Sequence, residues 1–220
     1  MKISVSACPM ILLAAGRSSR MGAPKGLLPF GGRPWLLEQL SGFRKAGGRE
    51  AIVVLGFHRE AYEERIPWLK DALTRPLWEE GLKIAVVVNP APEQGPFSSL
   101  LCALAAMGPR KRPAYFVLPL DVPCPGREVW EKLAQAFNPP LSAIIPRFQN
   151  RGGHPVLLSA VFLDRLNEIP ATDPNARLDF QIRALPLEDI AYVDVQDPRI
   201  GLNLNTPEAF ARFIQGAFPF

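Results

Sequence analysis

Short apolar runs alternate along this chain with longer amphipathic stretches, and that alternation constrains the fold more than any other feature. It points to repeated strand–helix units around a largely parallel sheet. The runs that read as strands are 10–14, 51–55, 84–88, 115–118, 142–145, 156–158 and 191–195. Between them 35–46, 97–107, 128–137, 161–168, 179–185 and 207–215 read as helices. Pro34 and Pro207 suit a first helical turn, while Gly47-Gly48 and Gly108-Pro109 are stop signals. The expected fold class is therefore α/β, a single doubly wound, mostly parallel sheet with helices on both faces. At 220 residues the chain can bury a full core, and one domain over 1–220 is expected. The segment 98–107 is apolar on every side, which predicts a buried helix with Phe97 and Met107 in the core. Trp68 and Trp78 read as packing residues in an excursion between the second and third strands.

Sheets of this kind deliver ligand-binding loops at the carboxyl edge of their strands. There the first apolar run breaks into Leu13-Ala14-Ala15-Gly16-Arg17-Ser18-Ser19-Arg20-Met21-Gly22-Ala23-Pro24-Lys25. A strand ending at Gly16 would aim the backbone N–H groups of Arg17 and Ser18 above the sheet, with Arg20 and Lys25 adding positive charge. That is how a triphosphate is held. The loop is no Walker motif, since Lys25 follows Pro24 with no Ser or Thr behind it, and no G-x-G-x-x-G is present. The plain alternative is a Gly/Ser/Arg surface loop. Loops 89–99, 121–125 and 201–206 converge on the same edge, which is the fold-level case for one site.

A bound phosphate chain carries charge that must be neutralised, and phosphate chemistry is largely positioning and electrostatics. Arg20 and Lys25 are candidate phosphate clamps, with Arg17 assisting. Asp121 follows a buried strand directly and would sit at the sheet's carboxyl edge; otherwise it starts a turn. Mg²⁺ binds one or two carboxylates together with phosphate oxygens and water, so one well-placed Asp is sufficient to recruit it. Gly95 lets backbone approach a ligand closely. Ser98 or Ser99 either directs a hydroxyl at that ligand or caps the buried helix. His154 reads as structural or as ligand-facing, and His58 belongs to no motif.

The stretch LAAGRSSRMGAPKGLLPFGGRP, residues 13–34, resembles the opening signature of the molybdenum-cofactor nucleotidyltransferases, the cytidylyltransferase and guanylyltransferase family. Pro119-Leu120-Asp121-Val122-Pro123 resembles that family's Pro-Leu-Asp-x-Pro motif, whose Asp holds the metal; Val122 stands where Gln is often found. Asn89 through Ser99 resembles the segment lying along base and ribose. Gly153-His154-Pro155 resembles an acceptor-side element of the cytidylyltransferase branch. Asn203-Leu204-Asn205-Thr206-Pro207-Glu208 resembles the closing motif, which brings Asn203, and less directly Asn205, to the metal, although either Asn could instead cap the helix after it. Thr172 through Arg177 sits where the family often has a Gly-Asp-x-Gly loop, here without its glycines.

By this resemblance, which runs from Met10 to about Phe210, the fold is Rossmann-like, of the nucleotide-diphospho-sugar transferase type. The nucleotide side comprises Leu13, Ala14, Ala15, Gly16, Arg17, Ser18, Arg20, Lys25, Asn89, Gly95, Ser98 and Ser99. The implied activity is Mg²⁺-dependent transfer of a nucleoside monophosphate from an NTP to a phosphate acceptor, foremost molybdopterin or its molybdenum form, with release of pyrophosphate. Ala14-Ala15-Gly16 and Gly153-His154-Pro155 lean toward CTP, Asn203-Leu204-Asn205 toward GTP, and CTP is favoured. A molybdoenzyme or its accessory protein would receive the product. The rival enzyme is a sugar-phosphate or other phospho-alcohol nucleotidyltransferase. The rival from another class is a non-catalytic cofactor-binding or delivery protein, against which the intact Lys25 and Asp121 argue.

Composition narrows the remaining classes. A net charge of +4 favours anionic small ligands and is too small to imply nucleic acid. Arg110-Lys111-Arg112 reads as a solvated loop. Cys8, Cys102 and Cys124 are odd in number without a C-x-x-C pair, and 2 histidines cannot assemble a zinc cluster, so a reduced cytoplasm is expected. The signal-like start leads straight into the phosphate-loop candidate, which cleavage would destroy. No run approaches the ~18 apolar residues that span a bilayer. The 24 prolines are scattered at element ends, as stiff loops require.

Overall fold

A strand can bury every side chain only when both faces of its sheet are covered. Strand β1 (Met10–Leu13) comes close to that limit, with Met10, Ile11 and Leu12 each 0% exposed. In the computed structural model, which describes residues 2–216, β1 lies inside a nine-stranded sheet. Residue 1 and residues 217–220 of the expected 1–220 domain fall outside the described residues.

After β1 come a small hairpin of β2 (Pro29–Phe30) and β3 (Arg33–Pro34), then helix α1 (Trp35–Lys45) and β4 (Glu50–Leu55). Helices α2 (Arg59–Arg65) and α3 (Trp68–Ala72) lead to β5 (Leu77–Glu79), β6 (Leu82–Val88) and α4 (Pro96–Met107). Next are β7 (Ala114–Pro119), α5 (Arg127–Ala136), β8 (Ala143–Phe148), β9 (Arg151–Gly152) and β10 (Val156–Ser159). Helices α6 (Ala160–Asn167) and α7 (Leu178–Arg183), strand β11 (Ile190–Asp194) and helix α8 (Pro207–Ile214) complete the order. All the strands and helices expected from sequence are present, with ends displaced by at most 3 residues.

The sheet order is β11-β8-β10-β7-β1-β4-β6-β5, with β9 on β8. Strand β1 is parallel to β4 and β7, β4 to β6, and β8 to β11. Strand β10 is inserted antiparallel between β7 and β8, and β5 and β9 are also antiparallel to their partners. From β1 the chain winds outward through β4 and β6, then returns to the other side as β7. The crevice beyond the carboxyl ends of β1 and β7 is thus the topological switch point, where loops diverge and leave room for a ligand.

Side chains alternate between two cores. Met10 and Leu12 pack with Trp35, Leu36, Phe43, Trp130 and Phe210 from α1, α5 and α8, whereas Ile11 packs with Leu100, Leu104, Phe162 and Leu163 from α4 and α6. Helix α1 is stopped as its glycines predict: Gly47 adopts φ 99° and the Gly48 N–H reaches the Phe43 carbonyl at 3.0 Å. Thr206 caps α8 by accepting from Ala209 N at 3.2 Å, with Pro207 in the first turn. No helix among the described residues is long and apolar enough to cross a membrane.

Four local expectations are corrected. Pro34 lies just outside α1, paired with Pro29 in the β2–β3 hairpin. Trp78 is 65% exposed, because it lies on the edge strand β5 with no layer above it; only Trp68 packs on the core. Helix α4 is not covered all round, since Ala105 and Ala106 face out. Arg110 is not solvated: its Nη1 donates to the carbonyls of Leu104, at 2.8 Å, and Gly108, closing the C-terminus of α4, and its Nε lies 3.3 Å from Asp164.

Candidate active site

The phosphate-loop candidate leaves the sheet after Ala14, whose N–H still reaches the Val54 carbonyl at 2.9 Å. Ser18, at φ 53°, turns the chain, and its Oγ accepts from the backbone N–H of Lys25 at 3.0 Å, so the loop is tied at both ends. Residues outside any motif support it from β4. Gly56 abuts Ala15, where a Cβ would come within 2.7 Å of the Ala15 Cβ. The Arg17 guanidinium lies 4.6 Å from the Phe57 ring centre, and His58 Nε2 donates to the Arg17 carbonyl at 2.8 Å. Sequence reading gave His58 no role; its left-handed φ of 62° at the start of α2 brings the ring to the loop.

Lys25 is buried, 6% exposed, and its Nζ donates to Asn205 Oδ1 at 2.6 Å. Burial lowers its pKa below the ordinary 10.5, the Asp121 charge pulls it back up, and Arg20 pushes it down. The next residue, Gly26, donates its N–H to the hydroxyl of Tyr62 at 3.0 Å. Burial pushes the Tyr62 hydroxyl up to about 12, so it stays protonated. A Cβ on Gly26 would lie 2.6 Å from that oxygen. Gly26→Ala is therefore expected to cost about 1–3 kcal/mol of stability through overpacking. Urea unfolding checks this, and an unchanged midpoint would show that Tyr62 yields freely.

Asp121 is fixed through its backbone. Leu120 N donates to the Leu13 carbonyl at 3.0 Å and Leu204 N to the Asp121 carbonyl at 2.8 Å, so the ends of β1, β7 and the closing loop meet there. Residues 13–21, Lys25, Pro92, Gly95, Pro96, Ser99, Asp121 and Asn205 line one cleft of about 280 Å³, at the small end of ligand pockets. The four loops expected from sequence all contribute to it, the last two through a single residue each, Asp121 and Asn205.

Several expected residues lie elsewhere. Asn89 is 2% exposed and spends its amide on Ser98 Oγ (2.8 Å), Ser99 Oγ (3.0 Å) and Ala91 N (2.9 Å). Ser98 donates to the Gly95 carbonyl at 2.8 Å. Both shape the turn ahead of α4, so of the four residues expected there only Gly95 and Ser99 reach the cleft, alongside Pro92 and Pro96. Neither Ser caps α4, whose N-cap is Gly95. Asn203 Oδ1 accepts from Asn205 Nδ2 and does not line the cleft. Gly153, His154 and Pro155 are outside it too. His154 N donates to the Ile200 carbonyl at 2.9 Å, and a Cβ on Gly153 would lie 2.2 Å from that same oxygen. The buried His154 Nδ1 has no hydrogen-bond partner; burial lowers the pKa of the ring below 6.5, against the pull of Asp121. Thr172 through Arg177 forms a turn before α7, where Asp173 Oδ1 accepts from Asn175 N at 2.7 Å.

The donor set suits a particular kind of metal. Among the described residues no group of three His, Cys, Asp or Glu side chains could cage an ion. A single carboxylate at the edge of a cationic cleft fits Mg²⁺, which keeps waters and phosphate oxygens as its other ligands. The Asn205 oxygen already accepts a hydrogen bond from the Lys25 ammonium, which holds Lys25 in its orientation.

Residues 10–184 match the family described as the MobA-like NTP transferase domain. A molybdenum cofactor cytidylyltransferase of Escherichia coli is 27% identical over 206 residues, 94% of this chain and 95% of that protein. A molybdenum cofactor guanylyltransferase of Xanthomonas euvesicatoria is 52% identical over 46 residues, 21% of this chain; the match spans only 24% of that protein. The fold is shared with a Mycobacterium tuberculosis protein solved as a manganese complex, at TM-score 0.69 and 21% identity over 94% of this chain and 98% of that one.

Proposed function

The chain belongs to the MobA-like NTP transferase family and is a nucleotidyltransferase, and from that premise we propose that it transfers CMP from CTP to the phosphate of molybdopterin or its molybdenum form. Residues 1–220 act in this reading as one nucleotidyltransferase domain, in the cytoplasm, handing the product to a molybdoenzyme or its accessory protein. The observation that carries the reading is that a buried lysine and a carboxylate, Lys25 and Asp121, line one cleft at the switch point of the sheet.

In the reaction an acceptor phosphate oxygen forms a bond to the α-phosphorus while the bond from that phosphorus to the bridging oxygen breaks. The electron pair leaves with pyrophosphate, on which negative charge grows. The N–H groups after Gly16 receive phosphate oxygens, and nothing inside the fold demands glycine at 16, where a Cβ would meet no protein atom within 4 Å. Arg20 and Lys25 meet the growing charge; Asn205 and Ser18 hold Lys25 in place. Asp121 would hold Mg²⁺, which when bound would neutralise phosphate charge and polarise the reacting phosphorus. The manganese complex of the structural neighbour supports a divalent ion in this fold.

The full-length similarity to the E. coli cytidylyltransferase supports CTP over GTP. Given purified molybdopterin, the protein is expected to release pyrophosphate from CTP at a kcat/KM at least about tenfold above that for GTP, since a site whose buried polar groups fit one base leaves them unpaired with another. Faster turnover of GTP would assign the guanine branch instead.

A further inference from the structure

Helix α1 carries two buried side chains whose polar groups bond a loop of the site and which no part of the proposed reaction uses. Trp35 and Gln39 are 2% and 1% exposed, and they lie one helical turn apart on one stripe of the helix, with Gly42 continuing it. Each is committed to the loop that contains Asp121. Trp35 Nε1 donates to the Leu120 carbonyl at 2.8 Å. Gln39 Nε2 donates to the Val122 carbonyl at 2.6 Å, and its Oε1 accepts from the Cys124 N–H at 2.7 Å. Gly42 completes the approach, because a Cβ there would come within 2.7 Å of the Cys124 sulfur.

These bonds follow a register. Residues 120, 122 and 124 turn backbone polar groups toward α1, while the carbonyl of the intervening Asp121 turns away to Leu204 N. A leucine would fill position 39 of an apolar helix–sheet interface without having to satisfy an amide, whereas the glutamine closes two bonds across the turn just after Asp121. A primary amide matches a peptide group donor for acceptor, so Gln39 acts as a short piece of partner strand for a segment that has left the sheet.

We infer that Gln39, supported by Trp35, is the positioning residue for the metal-binding carboxylate: it fixes the backbone of 120–124 against α1 and so sets where Asp121 stands relative to the phosphates. The inference rests on the proposed role of Asp121. Outer partners that orient a metal ligand are worth 10–100-fold in metal affinity.

The test uses Mn²⁺ as the probe, titrated by electron paramagnetic resonance into the full chain saturated with the non-reacting analogue α,β-methylene-CTP. Gln39→Leu and the more adaptable isostere Gln39→Met, of which one folding variant suffices, are compared with wild type and with Asp121→Asn. The expected result is Mn²⁺ affinity weakened about tenfold or more in the Gln39 variants, with analogue affinity unchanged. Gln39 variants that lose thermal stability yet bind Mn²⁺ as wild type does would overturn the inference, leaving Gln39 a packing residue while Asp121→Asn remains impaired. Equal Mn²⁺ affinity in wild type and Asp121→Asn would overturn the metal role of Asp121 and the inference together.

Discussion

Asp121→Ala is expected to lower turnover with saturating Mg²⁺ by about a thousandfold or more and to leave the thermal unfolding transition nearly where it was. The size follows from charge: the carboxylate is the anionic anchor of the cleft, and a metal's stabilisation of a phosphoryl transition state is worth several kcal/mol, about a factor of ten for each 1.4 kcal/mol. The tolerance of the fold follows from how residue 121 is held. Its fixing bonds run through the backbone, from Leu204 N to its own carbonyl and from α1 to residues 120, 122 and 124, and none of them needs the carboxylate. The same substitution removes the charge that raises the pKa values of Lys25 and His154, so both should titrate lower in the variant. Steady-state kinetics beside a melting curve separates the possibilities, and near wild-type turnover at saturating Mg²⁺ would remove Asp121 from its role.

The fold was legible because its central strands are buried on both faces. Such strands must be apolar at every position, and β1, β4 and β7 stand out as unbroken runs between turn residues. The phosphate-loop candidate and Asp121 were legible for a related reason, since each follows a buried strand directly and therefore has to emerge at the carboxyl edge. The antiparallel insertion of β10 follows from chain length alone: residues 149–155 are too few for a parallel crossover, which needs a dozen residues or more. Likewise Gly31-Gly32, both at positive φ, is a two-residue hairpin signal that passes unnoticed inside a longer motif. The supports of the site had no local signal at all. Tyr62 meets Gly26 across 36 positions of sequence and Trp35 meets Leu120 across 85, through backbone groups that every residue possesses. For the same reason the sequence leaves Asn89 as a candidate ligand contact and Ser98 as a ligand contact or a cap: their residue types suit either a nucleotide or each other, and only the packing of α4 decides that they bond each other.

Lys25 joins the electrostatics of the site to its stability, and Lys25→Met should show the two effects in opposite directions. Its ammonium is buried, bonded to a neutral amide oxygen, and its pKa is driven below 10.5 chiefly by that burial. In the unfolded chain the same lysine holds its proton more tightly. Below its folded pKa the buried charge therefore costs stability, and the cost fades as pH rises from that value toward 10.5, where the unfolded chain also loses the proton. Removing the charge with an apolar side chain of similar length should leave the protein at least as stable at pH 7, with an advantage that shrinks as pH climbs through that window. Catalysis should move the other way. If Lys25 meets charge that grows on departing pyrophosphate, kcat falls about a hundred- to a thousandfold while KM for the nucleotide changes little. A loss confined to KM would mean that Lys25 binds the triphosphate uniformly in ground and transition states. Melting curves at neutral and alkaline pH, run beside the kinetics, read both halves. A variant that unfolds more easily at pH 7 would mark Lys25 as a lysine retained for its bond to Asn205, because a group kept for chemistry at the expense of the fold cannot stabilise the protein it is removed from.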